Sequence, residues 1–228
     1  MNKQQNLNTT EILNQLMILQ SQKETIELLK KYNVPVTESK IFDSKKDAIN
    51  SKQDFPIVLK IISSDIIHKT DAGGIKTDIK NKKELKIEIN NMELRVKKKF
   101  PKAKLQFMIE KQESGKEVII GMKRDEQFGP VILFGLGGVL VEIFKDVSMR
   151  IAPITMSDIN EMVDEIKAAK LLTGYRGEKA VDIKSLKNIL LNISKLSLKE
   201  KNIVEIDFNP VIVNEKYATV VDARILTK

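Results

Sequence analysis

Val204-Glu205-Ile206-Asp207-Phe208-Asn209 alternates apolar residues with side chains that carry oxygen. Successive side chains of a strand point to opposite faces. The stretch therefore reads as a strand with one greasy face and one face of oxygen ligands, Glu205, Asp207 and Asn209. Ala218 to Ile225 can return as its antiparallel partner after the loop Asn214 to Tyr217. If Val213 pairs with Ala218, Asn209 falls opposite Asp222, and directly opposed side chains have Cβ atoms ~5 Å apart. That spacing suits a shared Mg²⁺, a hard ion that takes oxygen from one or two carboxylates and fills its shell with substrate phosphates. Asp207 lies on the same face, placed to join or orient the site. The alternative is a solvent-facing polar stripe, and Pro210, without a ladder donor, marks a point where pairing can be irregular.

Outward from this hairpin, the rest of the chain supplies both helices and strands. Helical spacing of apolar residues runs from about Glu11 to Tyr32, where Asn33-Val34-Pro35 stops it. Ile57 to Ile62 reads as a buried strand entered through Pro56, and Lys83 to Phe100 as a helix closed by Pro101. Strands follow at Leu105 to Ile109, Val118 to Met122 and Val131 to Phe134, then helices at Ser157 to Ala169 and Ile183 to Leu196. The mixture predicts an α+β protein of two lobes that part near Lys104.

Composition removes several function classes. The chain contains no cysteine, so disulfides, thiol catalysis and zinc-ribbon or iron–sulfur sites are out, which is compatible with a reducing cytoplasm. Its apolar runs are far shorter than the ~20 residues that span a bilayer, and the polar start at Asn2, Gln4, Gln5 and Asn6 reads as no signal peptide. A net charge of +8 would attract nucleic acid or anionic small substrates such as ATP. Without tryptophan, the stacking platforms of single-strand binders are scarce.

Three further constellations carry candidate chemistry. Lys60 interrupts the apolar run Ile57 to Ile62; it is either an edge lysine facing solvent or a buried ammonium that needs an anion, such as the phosphates of a nucleotide. The loop from Ser63 ends in Gly73-Gly74, permissive for close approach to a ligand. It holds His68, the sole histidine, which is either structural or a nucleophile toward phosphorus. Gly135, Gly137 and Gly138 follow the strand Val131 to Phe134 and either offer N–H groups to an anion or form a tight turn; they match neither the Rossmann fingerprint nor a Walker A loop. Downstream, Arg150 is placed to stabilise phosphoryl charge, and Glu117 either binds a ribose or metal or caps a turn.

With these segments in hand, the sequence resembles the beta subunit of ADP-forming acetyl-CoA synthetases, a module also found in single-chain acyl-CoA synthetases and related to the succinyl-CoA synthetase beta subunit. The resemblance runs from about Ser21 to Leu226. It rests on Val58-Leu59-Lys60, Asp65 to Lys76, Gly121 to Pro130, Phe134 to Gly138, Asp146 to Pro153, Gly174-Tyr175-Arg176-Gly177 and Glu205 to Pro210. It implies an ATP-grasp fold of two α+β lobes that hold ATP, with residues 1–20 an extension, 21–104 the first lobe and 105–228 the second. It also implies a phosphohistidine relay: a CoA-binding alpha subunit forms acyl phosphate and takes the phosphoryl group, and a histidine on the ATP-grasp subunit passes it to ADP. His68 stands at that position. By the same matching, Lys60 holds nucleotide phosphates, Glu117 the nucleotide side and Glu110 to Gln112 the hinge that presents backbone groups to adenine. Asn209 and Asp222 hold Mg²⁺, and Asp207 supports the histidine or the metal.

The reading that follows is a cytoplasmic ligase subunit in an α2β2 assembly, converting acetyl-CoA, ADP and phosphate to acetate, ATP and CoA. The same chemistry on an aryl, branched or succinyl acyl-CoA stays open, because acyl choice falls to the partner. A basic nucleic-acid-binding protein is the rival from another class, and it leaves Asn209, Asp222 and His68 unexplained.

Overall fold

A computed structural model describes residues 17–63, 65–66, 72–138, 146–167 and 169–228. Within them the elements run β1 (Ile18–Leu19), α1 (Gln22–Lys31), β2 (Ser39–Phe42), α2 (Lys45–Asn50), β3 (Ile57–Ile62), β4 (Ile75–Ile79), α3 (Lys82–Lys99) and β5 (Gln106–Lys111). The second half holds β6 (Lys116–Asp125), β7 (Gly129–Leu136), β8 (Val147–Ile151), α4 (Met156–Glu165), α5 (Lys170–Thr173), α6 (Ile183–Lys199), β9 (Ile203–Val213), β10 (Ala218–Val220) and β11 (Ala223–Thr227). The chain divides into two compact units, one from Thr37 to Ser114 and the other formed by the segment ending at Val36 together with Gly115–Lys228.

The smaller unit is an antiparallel sheet in the order β2-β5-β3-β4. Ile57 to Lys60 and Ile61 are all buried, as a strand with neighbours on both sides must be. Helix α3 buries Leu85, Ile89, Met92 and Val96, the stripe that 3.6-residue periodicity aligns. Asn81 caps its start by accepting from the Glu84 N–H, and Lys97, Lys98 and Lys99 sit at its negative end. This stripe joins Leu59, Ile61, Phe107 and Ile109 in one core.

The larger unit is an antiparallel sheet in the order β1-β11-β9-β6-β7-β8, with β10 also paired to β9. Val118, Ile120 and Met122 of β6, Ile132 and Phe134 of β7, and Ile206 and Phe208 of β9 form one core with Ile159 and Met162 of α4 and Leu186, Ile189, Leu190 and Ile193 of α6. One face of this sheet is thus covered by helices. The other is the face on which the intervening, alternate residues lie.

Two boundaries differ from the sequence expectation. The chain crosses between units at Ser114, not near Lys104, because β5 hydrogen-bonds to β2 and β3 inside the smaller sheet. The segment before Val36 belongs with the larger unit, where Leu29 and Val34 enter the core and Val36 bridges Val220. The first described helix starts at Gln22, where Ser21 and Glu24 form a reciprocal capping box that fixes its first turn; the helix start expected near Glu11 lies outside the described residues. Among the described residues no helix is long and apolar enough to cross a membrane.

Candidate functional site

The polar residues of β9 lie on the face away from the helices. Ile206 and Phe208 are buried, while Glu205 and Asp207 are half-buried and Asn209 is exposed. The pairing is Val213 with Ala218 on β10, then Phe208 with Ala223 and Asp207 with Arg224 on β11. Between these segments the Asn209 N–H donates to the Asp222 carbonyl at 3.1 Å, so Asn209 and Asp222 face each other. On the other side, Val118 pairs with Val211 and Ile120 with Phe208, so Asn209 and Pro210 together face Ile119 in a β-bulge. The bulge falls where proline has no N–H to offer, the irregularity that Pro210 announced. Gly121 lies opposite Asp207 on β6, so no side chain stands beside that carboxylate there.

Burial pushes the Asp207 carboxyl above the usual carboxylate range; Arg224 pulls it down, and Glu205 and Asp222 push it further up. Carboxylates crowded on one face favour the arrival of a cation. Asn209 and Asp222, with Asp207 beside them, offer hard oxygens that fit Mg²⁺. Among the described residues no group of three or more His, Cys, Asp or Glu could hold a metal ion. Mg²⁺ needs none, because it takes one or two carboxylates and keeps water and phosphate in the remaining positions.

In the smaller unit, Lys60 is not an edge lysine. It lies on β3 between β4 and β5, and its ammonium meets the Glu110 carboxylate at 2.6 Å, with side chains 5% and 1% exposed. Lys60 opposes Met108 and Val58 opposes Glu110, so the ion pair runs diagonally across the two strands. The anion that the sequence demanded for a buried lysine is present in the protein itself. The expected hinge, Glu110 to Gln112, runs from the end of β5 into the segment that follows it. The Lys111 N–H donates to the Glu38 carbonyl and the Gln112 N–H to the Pro56 carbonyl, while the Gln112 side-chain oxygen accepts from the Asp78 N–H. These two N–H groups are committed within the unit.

The glycines separate into two kinds. Gly73 adopts a left-handed φ of 68°, and the Gly74 carbonyl accepts from the Ile61 N–H at 2.8 Å, which pins the loop end to β3. Gly137 was expected to offer its N–H to an anion; instead it donates to the Glu117 carbonyl at 2.7 Å. A Cβ at Gly137 would lie 2.9 Å from the Glu117 Cβ, so close packing of β7 on β6 explains this glycine. Gly138, at φ 72°, has open space around a built Cβ. Glu117 itself is exposed on β6. His68, with residues 67–71, lies outside the described residues, as do residues 139–145.

Arg150 requires a correction. It pairs with Ile132 on β7, and opposed residues share a face, so it stands on the helix side of the sheet, opposite to Asn209 and Asp222. Its guanidinium forks onto Glu165 of α4 at 2.5 and 3.1 Å and also donates to the Met149 carbonyl at 3.0 Å. The pair lowers the Glu165 pKa, with Arg150 the leading cause, and raises that of Arg150. Arg150 braces α4 against β8, on the face opposite to Asn209 and Asp222. The arginine on the other face, Arg224, escaped the sequence reading, although its spacing two residues beyond Asp222 puts it on the same side.

The ATP-grasp domain family matches residues 13–226 of the chain. The chain is 44% identical over 207 residues to the beta subunit of the ADP-forming acetate–CoA ligase I of Pyrococcus furiosus, a match that covers 89% of each. It is 42% identical over 207 residues to the ADP-forming acetate–CoA ligase I of Archaeoglobus fulgidus, where 89% of this chain matches 30% of the longer one. It is similar in structure to acetyl-coenzyme A synthetase 1 of Candidatus Korarchaeum cryptofilum in complex with coenzyme A and Ca-AMPCP. That match has a TM-score of 0.87 and 37% identity, covering 97% of this chain and 100% of the other. Another structure of that synthetase, with TM-score 0.78, 37% identity and 92% of each chain covered, holds Mg-AMPPCP with a phosphohistidine segment pointing towards the nucleotide-binding site.

Proposed function

The chain belongs to the ATP-grasp family, and we propose that it is the nucleotide-handling beta subunit of an ADP-forming acetyl-CoA synthetase, using ATP or ADP with Mg²⁺. The observation that carries this reading is the 44% identity to a beta subunit over 89% of each chain. The reaction is acetyl-CoA + ADP + phosphate ⇌ acetate + ATP + CoA. In the step assigned to this chain, the bond from an imidazole nitrogen to phosphorus breaks and its electron pair returns to the ring. A terminal oxygen of ADP forms the new bond to the same phosphorus.

Such a transfer mostly needs positioning and charge neutralisation. Asn209 and Asp222 would hold Mg²⁺, with Asp207 keeping the Asn209 side of the face in place. Mg²⁺ bound there supplies positive charge to the phosphate oxygens. In the smaller unit, Lys60 is the proposed phosphate ligand, its ammonium fixed in direction by Glu110. His68, the chain's single histidine, is the proposed phosphoryl carrier. Its support is the sequence around it and the phosphohistidine segment of the Korarchaeum synthetase.

A relative named as a subunit and a longer single-chain relative both imply a partner. We take that partner to be a CoA-binding alpha subunit, two of each chain forming a cytoplasmic α2β2 assembly. Mass measurement of the reconstituted complex checks the stoichiometry. For the activity, the chain is mixed with its alpha partner, acetyl-CoA, phosphate and ADP–Mg²⁺, and ATP is measured. Full-rate ATP formation by His68→Ala would remove the relay role, and no ATP with any acyl-CoA would remove the synthetase reading.

A further inference from the structure

The open face of the larger sheet carries the carboxylates Glu205, Asp207 and Asp222 around Asn209. A phosphate approaching through that field is repelled unless fixed cations stand nearby. The cations that alternation places on this face of β6, β9 and β11 are Lys123, opposite Glu205, and Arg224, opposite Asp207. Arg224 is half-buried, is held on a strand and is two residues from Asp222. Among the described residues it makes no ion pair within 4.0 Å, in contrast to Arg150, whose fork is closed on Glu165. A guanidinium so placed presents a planar pair of donors suited to two phosphate oxygens.

We propose that Arg224 is the arginine that contacts the terminal phosphate of the nucleotide on this face, beside the Mg²⁺ held by Asn209 and Asp222. The assignment rests on the reading of this face as the metal–nucleotide side. It replaces Arg150, which lies behind the sheet. Arg224 would balance the carboxylates in the resting protein and meet the phosphate charge when the nucleotide arrives. A contact of this kind reads the number of phosphates and is indifferent to the base and sugar.

Calorimetric titration of the full chain with MgADP, AMP and adenosine tests it, alongside melting temperatures. Arg224→Met is expected to weaken MgADP about 10- to 100-fold, the effect of losing a charge-assisted hydrogen bond, and to leave adenosine binding unchanged. Arg224→Lys, which keeps the charge without the fork and guards against misfolding of the methionine variant, should fall between. Arg150→Met should melt at a lower temperature and bind MgADP as the wild type does. Wild-type MgADP affinity in both Arg224 variants overturns the assignment, as does an equal loss of adenosine and MgADP. A wild-type chain that binds adenosine but gains nothing from phosphates or Mg²⁺ overturns the metal–nucleotide reading together with it.

Discussion

Two strands of this protein carry charge inside apolar runs, and they resolve it in opposite ways. On β3 of the smaller unit, Lys60 is met at 2.6 Å by Glu110 and both are buried. On β9 of the larger unit, Asp207 faces Arg224 without an ion pair, and Asn209 reaches solvent beside Asp222. The first arrangement is closed, and its charges answer each other within the fold. The second is open: burial, with Glu205 and Asp222 beside it, raises the Asp207 pKa, and the face is left short of positive charge. Either kind of polar interruption is compatible with a ligand, Lys60 as the proposed phosphate contact and Asp222 as the proposed metal ligand. What distinguishes the two is whether the counter-charge arrives with the fold or must come from a ligand.

The largest test removes half of the closed pair. Glu110→Ala leaves the Lys60 ammonium buried without its carboxylate and should cost about 3–5 kcal/mol in denaturant titration. The double change Lys60→Met with Glu110→Leu should recover most of that loss, since a well-packed apolar pair replaces a buried ion pair at little cost. If Glu110→Ala alone is as stable as the wild type, the pair is not closed in the sense argued, and the contrast with β9 collapses.

A packing test follows. Gly137→Ala puts a methyl 2.9 Å from the Glu117 Cβ and 3.0 Å from the Glu117 carbonyl carbon. Overpacking of this kind costs about 1–3 kcal/mol. A stability loss with nucleotide affinity intact would fit a glycine required by strand packing. Lost affinity at unchanged stability would restore the anion-binding reading of that loop.

The two strands also show what the sequence discloses. The β9 hairpin was legible because period-two alternation and a short loop fix its register locally, and Val213 does pair with Ala218. The partner of Lys60 was not legible: the need for an anion follows from one residue, but Glu110 is brought alongside only by the pairing of distant strands. The boundary near Lys104 failed for the same reason, since sheet membership of β5 is set by hydrogen bonds to β2 and β3. Arg150 and Arg224 are a different case. Arg150 lies downstream of the glycine loop and Arg224 two residues beyond Asp222, and only the register of β8 and β11 separates the helix face from the open face. The cap at the start of the described α1 was not singled out by apolar periodicity, although Ser21 and Glu24 stand at capping-box spacing.

The open face should tolerate what the closed pair does not. Asp222→Asn keeps the shape of the side chain and removes the charge, so stability should change by less than about 0.5 kcal/mol. Mg²⁺-dependent ADP affinity should fall at least about tenfold, the loss typical of disturbing even an outer partner of a metal. Unfolding and Mg²⁺–ADP titrations on the same preparation separate these effects. A large stability loss would mean that Asp222 belongs to the fold as Glu110 does.

The smallest expected effect lies on the helix side of the same sheet. Arg150 holds the Glu165 carboxyl below its ordinary pKa, so the folded state binds the proton less readily than the unfolded one. Stability from this pair is therefore fully present above the ordinary carboxylate range and is lost as pH falls through the depressed Glu165 value. Glu165→Gln should melt slightly below the wild type at neutral pH, and the difference should vanish in acid. Melting temperatures at a series of pH values measure it, with MgADP affinity as the second readout. If Glu165→Gln leaves every melting temperature unchanged but weakens MgADP, Arg150 would act on the nucleotide after all, and the division between the two faces would not hold.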